Sequence, residues 1–411
     1  MQFLNPKATR RLYDADLARL MSIAKGRESR TWLSTWSCLA PTPTPTWSLP
    51  KLAAVFEVGS VHVKDESKRS ELGSFKALGA PIALLRLVLR RWPDQHWRAV
   101  DLFAGVHAKH LHDLVVISAT DGNHGRALAA AAQSIGCRGV IVLHANVSME
   151  REKAIAAFGA EIVRVAGNYD DSVAEAADLA AKNHWEVVSD TSCYGYEEIP
   201  RDVMQGYGIM VDELLEDSPQ GALCPFTHVI VQGGVGGLAA GVVSHFWERY
   251  GAQRPSFIIV EPEQADCLFQ SALLGRAARA TGSVDSVMAG LACGETSPLA
   301  WQFLQPAVDM FMTVTDTQAE TAMRALADGV AGDMPIVSGE SGAAGFAALQ
   351  ALVSNDEWRQ KAGLDTNSRI VLFNTEGATA PAVYKEIIGR DAKHVLIEQE
   401  TWLIQRGNVE E

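Results

Sequence analysis

The 411-residue sequence has few basic residues, no long apolar run and no dense set of cysteines. Its 36 Lys and Arg stand against 49 Asp and Glu, which argues against nucleic acid and anionic membranes as partners, because both attract positive charge. No window approaches the roughly 18 consecutive apolar residues of a membrane helix, and the N-terminal stretch lacks the apolar core of a secretory signal. The sequence therefore predicts a cytoplasmic enzyme that acts on a small molecule.

Cysteine and histidine are placed without the spacing of a metal site. The six cysteines are scattered and form no CxxC pair, so reduced thiols are expected, and a disulfide between Cys267 and Cys293 has little support. His107, His110 and His112 lie close together, but no cysteine or carboxylate pattern completes a standard set of ligands. The sequence predicts no metal.

Short β-branched runs alternate with alanine-rich helical patterns from about residue 55 onward. The runs are VHVKDES, DLVVISATDG, GVIVLHA, AEIVRVAG, WEVVSD, THVIVQGG, SFIIVEPE and RIVLFNTEG. This alternation predicts a doubly wound parallel sheet, and the lack of polar alternation is typical of strands that are covered on both faces. Ligands bind at the carboxyl ends of such strands, so the residues after each run are the first candidates for a site.

The segment APTPTPTWSLPKL, residues 40–52, carries four prolines on what reads as an extended path. Proline disfavours helical backbone in the residue before it. The segment therefore predicts a connector between an N-terminal arm and the body of the protein.

Lys76 lies in ELGSFKALGA between an aromatic residue and small apolar residues. A helical pattern begins near Ser74, which places Lys76 in the first turn of a predicted helix. There the positive end of the helix dipole favours the neutral amine and lowers its pKa, and a neutral amine attacks an aldehyde. The alternative is a lysine whose stem packs on the sheet while its ammonium reaches solvent.

Four glycines, Gly233, Gly234, Gly236 and Gly237, separate the run THVIVQ from a helical pattern. Glycine lets the backbone turn sharply and point its N–H groups inward, and a helix N-terminus favours a phosphate. The spacing matches neither GxGxxG nor a P-loop, which disfavours dinucleotides and nucleoside triphosphates. The alternative is a glycine turn needed only for tight packing of helix on sheet.

A second turn between strand and helix holds Thr120, Asp121, Gly122, Asn123 and His124. Aspartate or asparagine could cap the helix here, and asparagine could also hydrogen-bond an oxygen on a ligand's ring. A reactive lysine, a phosphate cradle and this turn in one parallel α/β sheet predict a site for pyridoxal phosphate.

The order of Ser-Phe-Lys, Gly-Asn-His-Gly and Gly-Gly-Val-Gly-Gly resembles that of the fold-type II pyridoxal-phosphate enzymes, the group of threonine dehydratase and tryptophan synthase β. Within it, ATDGNHGR, DTSCYGYEEIP and MAGLACGE resemble diaminopropionate ammonia-lyase, over most of residues 40–390. The resemblance implies an α/β fold of two domains, each with a parallel-rich, open twisted sheet flanked by helices. It also implies a large domain of residues 1–85 and 200–411, a small mobile domain of residues 86–199, and a homodimer.

The resemblance also implies the residues that hold the cofactor. Lys76 would bind it covalently, Asn123 would hydrogen-bond the ring hydroxyl, and the hydroxyl of Thr375 or Thr379 would meet the ring nitrogen. Glu340 would line another edge. The phosphate would lie against Gly233, Gly234, Val235, Gly236 and Gly237. Glu261, in contrast, is expected to stabilise the large domain by capping a helix.

The family removes the α-proton of 2,3-diaminopropionate and expels the β-amine, which gives pyruvate and ammonia. Both enantiomers can be substrates, so Lys76 would act on one face of the substrate and Asp121 on the other. Asp190 would recognise the distal ammonium; its alternative role is to cap a turn. The substrate carboxylate would be bound by Thr120, His124 and Ser118.

Two departures from the family pattern leave the substrate open. Gly73 and Ser74 stand where the lyase is expected to have Asn and Ala, and Ala378 follows NTEG where Asp is expected. The alternatives are a dehydratase or lyase for another β-substituted amino acid, of the serine, threonine or hydroxyaspartate type, a β-replacement synthase, and a catalytically idle protein that binds pyridoxal phosphate.

Overall fold

The computed structural model describes residues 1–120, 122–167 and 169–407. Within these residues, eleven strands form a sheet of seven and a sheet of four. The strands are β1 (Gln2–Leu4), β2 (Thr46–Ser48), β3 (Ser60–Asp65), β4 (Val115–Ala119), β5 (Arg138–Leu143), β6 (Glu161–Arg164), β7 (Glu186–Val187), β8 (His228–Gln232), β9 (Ser256–Pro262), β10 (Met310–Val314) and β11 (Arg369–Asn374).

The large sheet has the order β1-β10-β9-β8-β11-β3-β2, and the small sheet has the order β6-β5-β4-β7. The edge strands β1 and β2 pair antiparallel with their neighbours. The other pairs in both sheets are parallel. The predicted fold class, two parallel-rich sheets flanked by helices, is confirmed.

The helices are α1 (Ala15–Leu20), α2 (Ile23–Leu33), α3 (Pro50–Val55), α4 (Ala80–Arg91), α5 (Ala99–Phe103), α6 (Ala108–Leu111), α7 (Asn123–Ile135), α8 (Met149–Ala156), α9 (Tyr169–Asn183), α10 (Glu198–Tyr207), α11 (Ile209–Leu214), α12 (Gly237–Tyr250), α13 (Cys267–Leu274), α14 (Pro298–Ala307), α15 (Asp316–Asp328), α16 (Ala344–Val353), α17 (Asp356–Ala362), α18 (Pro381–Ile388) and α19 (Ala392–Gly407). Local chemistry sets several of their ends. Thr315 and Gln318 form a capping box at the start of α15, and Gly136, at φ +87°, ends α7.

All eight predicted runs contain strands, and their composition follows from burial on both faces. In β8, Val229 and Val231 belong to one apolar core, whereas Ile230 belongs to a second core on the opposite face of the sheet. Successive side chains of a strand point to opposite faces. A strand covered on both faces therefore reads as a continuous apolar run, as the sequence predicted.

The proline-rich connector is more ordered than predicted. Residues 46–48 form the edge strand β2, and Thr46 pairs with Lys64 of β3. Helix α3 begins at Pro50. Proline suits the first position of a helix, because the N–H that it lacks would have no acceptor within the helix. The segment is thus an edge strand followed by a helix.

The registers of the parallel strands bring their carboxyl ends to one edge of the large sheet. Asn374 at the end of β11 pairs with Asp65 at the end of β3, and Gln232 at the end of β8 pairs with Val260 of β9. The four glycines follow the end of β8 directly in the chain, and Thr375 follows the end of β11. Lys76 lies in the second 3₁₀ turn after β3. The fold therefore brings the predicted site residues to one region.

The four strands of the small sheet lie between residues 115 and 187. The domain boundaries predicted at residues 85 and 199, the mobility of the smaller domain, the homodimer and the cytoplasmic location stay predictions. Among the described residues, no helix combines the length and the apolar character needed to cross a membrane.

Candidate active site

A cavity lies at the carboxyl ends of strands from both sheets and gathers most of the predicted site residues. Those that line it are Lys76, Thr120, Asn123, His124, Asp190, Gly233, Gly234, Val235, Gly237, Thr375 and Thr379. Three other predicted residues, Ser118, Gly236 and Glu340, do not line it. Asp121 lies outside the described residues, between Thr120 and Gly122, which both line the cavity.

Lys76 lies in a short 3₁₀ turn, Phe75–Leu78, that precedes α4, and not in the first turn of an α-helix. Its Nζ donates a hydrogen bond to Oδ2 of Asp190 at 2.5 Å. Burial alone would lower the pKa of Lys76, but the Asp190 carboxylate outweighs burial and raises this pKa above its ordinary value. The predicted lowering of the pKa by a helix dipole is therefore wrong, because the turn is short and a carboxylate contacts the amine.

Asp190 stays ionised in this cavity. Burial favours its neutral form, but Lys76 and His124 together lower the pKa of the carboxyl well below its ordinary range. Nδ1 of His124 lies 3.8 Å from Oδ2 of Asp190, and Nε2 of His124 donates to the Val188 carbonyl at 2.8 Å. His124 was predicted to bind the substrate carboxylate, and the structure places it beside Asp190.

The glycine turn after β8 fits a phosphate. Gly234 and Gly236 adopt φ of +63° and +100°, which a side chain would disfavour. Within the described residues, no carbonyl accepts the backbone N–H groups of Gly234, Val235 and Gly237, so these donors are available to phosphate oxygens. The N–H of Gly236 instead donates to the Gly233 carbonyl at 3.3 Å, and Gly236 does not line the cavity.

Glu261 lies directly beneath this turn. A Cβ at Gly233 would lie 2.7 Å from Cγ of Glu261, so only glycine fits above this side chain. The Glu261 carboxylate accepts hydrogen bonds from the N–H groups of Leu268 and Phe269 at 2.9 and 2.8 Å, at the start of α13. The prediction that Glu261 caps a helix is confirmed.

Glu261→Gln should flatten the pH dependence of stability. Burial raises the pKa of Glu261 from its ordinary 4.5 to about 8 in the folded protein. Between these values the folded state holds a proton that the unfolded state has released, so stability falls as the pH rises, by about 4 kcal/mol for this group alone. Urea denaturation at pH 5 and pH 8 measures the effect. The exposed Glu263→Gln is the control, and equal slopes in wild type and Glu261→Gln would contradict the prediction.

Glu376 organises the far wall of the cavity and was missed by the sequence analysis, which quoted NTEG without assigning its glutamate a role. Its Oε2 accepts hydrogen bonds from Nδ2 of Asn123 and from Oγ1 of Thr379, the latter at 3.2 Å. Its Oε1 accepts from the N–H of Ser341 at 3.1 Å. Glu376 therefore connects the turn after β4 with the turn after β11.

Glu340 and Ser118 lie among other residues of the protein and do not line the cavity. Glu340 is buried, and Oε1 finds no hydrogen-bond partner among the described residues; burial and the nearby Glu376 raise the pKa of Glu340 to about 7. Ser118 belongs to β4, and its hydroxyl donates to the Ala119 carbonyl at 3.3 Å. Neither position supports the contact that was predicted for it.

Four other lining residues were given no role at the site by the sequence analysis. These are Arg151, Tyr169, Tyr207 and Cys293. Cys293 belongs to MAGLACGE, one of the segments that carry the resemblance, whereas Arg151 and Tyr169 belong to ordinary helical patterns that only the tertiary structure places at the cavity. Within the part of the chain that the structure describes, none of the six cysteines forms a disulfide.

The described residues contain no group of three or more His, Cys, Asp or Glu side chains arranged to hold a metal ion. Of the three clustered histidines, His107 stacks on Trp97 with ring centroids 4.7 Å apart, and His110 lies 6.0 Å from the same ring. Aromatic packing thus accounts for two of these side chains.

Known proteins match this chain along most of its length. The family described as pyridoxal-phosphate dependent enzyme matches residues 38–376. Diaminopropionate ammonia-lyase of Escherichia coli (strain K12) is 36% identical over 359 residues, which are 86% of this chain and 89% of that protein. The crystal structure of the holo form of the Escherichia coli enzyme is 34% identical, covers 94% of this chain and 96% of its own, and superposes with a TM-score of 0.85. The structure of that enzyme in complex with D-serine covers 95% of this chain and 98% of its own, at 34% identity and the same TM-score of 0.85.

Proposed function

The chain belongs to the pyridoxal-phosphate dependent enzymes, and we propose that it catalyses the α,β-elimination of 2,3-diaminopropionate to pyruvate and ammonia. Its relatives include diaminopropionate ammonia-lyases. When bound, pyridoxal phosphate supplies an aldehyde for an amine and withdraws electrons from the α-carbon. One observation carries the proposal: inside the cavity, the Asp190 carboxylate binds an alkylammonium group, because it accepts a hydrogen bond from Nζ of Lys76 at 2.5 Å.

Asp190 gives the cavity a preference for a cationic β-substituent. Its side chain is 19% exposed, and its carboxyl remains ionised beside His124. A carboxylate in a partly desolvated site binds an ammonium by a charge-assisted hydrogen bond, which is stronger than its bond to a neutral hydroxyl. The β-amine of diaminopropionate supplies such an ammonium, whereas serine and threonine supply a hydroxyl. This difference favours diaminopropionate over the β-hydroxy amino acids.

Lys76, Asn123 and the turn after β8 are the groups that would hold the cofactor. The N–H groups of Gly234, Val235 and Gly237, which donate to no carbonyl of the described residues, suit its phosphate. Of the two threonines that were predicted to meet the ring nitrogen, Thr375 is the better donor, because Thr379 already donates its hydroxyl proton to Glu376. Thr375 is 2% exposed and lines the cavity.

The substrate carboxylate is assigned to Thr120. Oγ1 of Thr120 accepts hydrogen bonds from the N–H groups of Gly122 at 3.2 Å and Gly125 at 3.4 Å, at the start of α7. Its own O–H proton is left to donate to a carboxylate oxygen. Lys76 would take the α-proton from one face of the substrate, and Asp121, between two residues that line the cavity, from the other.

Purified wild type should release pyruvate from both enantiomers of 2,3-diaminopropionate faster than from L- or D-serine, and faster than it releases 2-oxobutyrate from L-threonine. Asp121→Asn should lose about 100-fold in kcat with the D enantiomer and far less with the L enantiomer, because only one face loses its base. Oxoacid release in a coupled spectrophotometric assay measures both effects. Asp113→Asn, at a side chain that is 87% exposed, is the control.

Two outcomes would overturn the proposal. A preference for serine or threonine would make the protein a dehydratase, since the leaving group would be a hydroxyl. Absence of product from every amino acid, in protein that still binds pyridoxal phosphate, would make it a catalytically idle binding protein.

A further inference from the structure

Tyr207 is the last residue of α10 and lines the cavity. Its side chain is 1% exposed, and its hydroxyl finds no hydrogen-bond partner among the described residues. Buried hydroxyl groups are nearly always hydrogen-bonded, and one without a partner calls for a physical explanation. This position is therefore a candidate for a contact that forms in the working enzyme.

The Tyr207 ring lies beside Lys76. Nζ of Lys76 is 5.9 Å from the centroid of this ring and 5.1 Å from that of Phe75, and the two rings are 4.8 Å apart. Burial raises the pKa of the Tyr207 phenol above its ordinary value, against the opposing charge of Lys76, so the hydroxyl keeps its proton. Among the described residues, the titratable groups that act on Lys76 are Asp190, Tyr207 and Cys293.

Packing fixes the ring in this position. A Cβ at Gly79 would lie 2.6 to 2.8 Å from Cε1, Cζ and Oη of Tyr207. A Cβ at Gly241, in α12, would lie 2.9 Å from Cβ of Tyr207. Gly79 thus leaves room for the ring and its hydroxyl, and Gly241 leaves room for Cβ, so the hydroxyl is held next to the turn that carries Lys76.

We propose that the hydroxyl of Tyr207 accepts a hydrogen bond from Nζ of Lys76 and so aims the lone pair of this amine at the α-carbon of the substrate. The inference rests on the proposed function. With one N–H bonded to Tyr207 and another to Asp190, the lone pair of the neutral amine points into the cavity. A base transfers a proton efficiently only in such an alignment. Tyr207 is thus a positioning residue that acts through Lys76.

The role has a stereochemical signature, because Lys76 serves only one face of the substrate. Tyr207→Phe should lower kcat by about 10- to 100-fold with the diaminopropionate enantiomer that depends on Lys76. The enantiomer that depends on Asp121 should change by less than about threefold, within the range expected for an indirect effect. Tyr384→Phe is the matched control, because Tyr384 is also 1% exposed, also lacks a hydroxyl partner among the described residues, and lies away from the cavity.

A second measurement does not depend on turnover. The absorption band of the bound cofactor in the resting holoenzyme is titrated with pH for wild type, Tyr207→Phe and Tyr384→Phe. A hydroxyl that accepts a hydrogen bond from Nζ stabilises the protonated nitrogen, so the midpoint should fall by about one pH unit in Tyr207→Phe and stay constant in Tyr384→Phe.

Equal losses with both enantiomers, or an unchanged midpoint in Tyr207→Phe, would overturn the proposal. Failure of the proposed function is distinguishable from this result. If wild type prefers another amino acid, the substrate is wrong, and the absorption titration still decides the role of Tyr207.

Discussion

Lys76→Ala should lower pyruvate release by about 10⁴-fold or more, because in our proposal the amine is both the attachment point of the cofactor and one of the two bases. The variant should also release pyridoxal phosphate on dialysis, since no other lysine lines the cavity among the described residues. Pyruvate assays and absorption spectra before and after dialysis measure the two effects. Added methylamine should restore part of the activity, as it can replace the missing amine.

Lys76→Arg separates chemistry from electrostatics. The guanidinium keeps the positive charge that faces Asp190, but it does not lose its proton at accessible pH and cannot serve as nucleophile or base. Lys76→Arg should therefore be as inactive as Lys76→Ala while retaining the stability of the wild type in thermal denaturation. Activity of Lys76→Arg above about one hundredth of the wild-type rate would show that Lys76 has only an electrostatic role.

The sheets could be predicted because strands that are buried on both faces consist of continuous apolar residues. Strands such as β8 and β11 read as continuous apolar runs that end in glycine or polar residues. Strands β1 and β2 escaped detection because each has three residues and pairs only at an edge. Strand β10 was missed as well, although it is as buried as its neighbours; its sequence, MFMTV, contains little of the β-branched pattern that identified the others.

The site could be predicted where function depends on residues next to one another in the chain. Turns that follow parallel strands carry their own signature. Gly233, Gly234 and Gly237 of one such turn line the cavity, and so do Thr120, Asn123 and His124 of another. Contacts between distant segments could not be predicted. Asp190 lies 114 residues from Lys76 in the sequence. The sequence therefore could not show that a carboxylate contacts Lys76 and raises its pKa, which was expected to be lowered.

The same limit applies to Glu376 and Tyr207. Glu376 reaches Asn123 across 253 residues of chain, and Tyr207 reaches the turn of Lys76 from the end of α10. Neither residue has a local pattern that separates it from an ordinary buried side chain. Their roles depend on packing between distant segments, whereas the role of the glycines depends on the local geometry of the backbone.

Asp190→Asn should reduce kcat/KM for 2,3-diaminopropionate by roughly 100- to 1,000-fold, because the substrate loses a charge-assisted partner in a partly desolvated site. The asparagine keeps the size of the side chain and removes only its charge. Serine carries no charge on its β-substituent, so its elimination should fall much less. The measured quantity is the ratio of kcat/KM for diaminopropionate to that for serine, in wild type and variant.

The pH dependence of the variant gives a second, independent check. In wild type, the carboxylate of Asp190 raises the pKa of Lys76 against the opposing effect of burial. With a neutral asparagine, burial is left unopposed, so the pKa of Lys76 should fall. Since the neutral amine is the base that we propose, the rise of kcat with pH should then occur at lower pH in Asp190→Asn than in wild type.

Asp190→Glu distinguishes charge from geometry. It keeps the carboxylate but moves it by one methylene, so it should retain the preference for diaminopropionate over serine while losing rate with both. Asp190 interacts with Lys76 as well as, by our proposal, with the substrate, and these two roles predict different results. If Asp190→Asn lowered turnover of diaminopropionate and serine by the same factor, the carboxylate would serve only the lysine, and recognition of the β-ammonium would have to be assigned to another group.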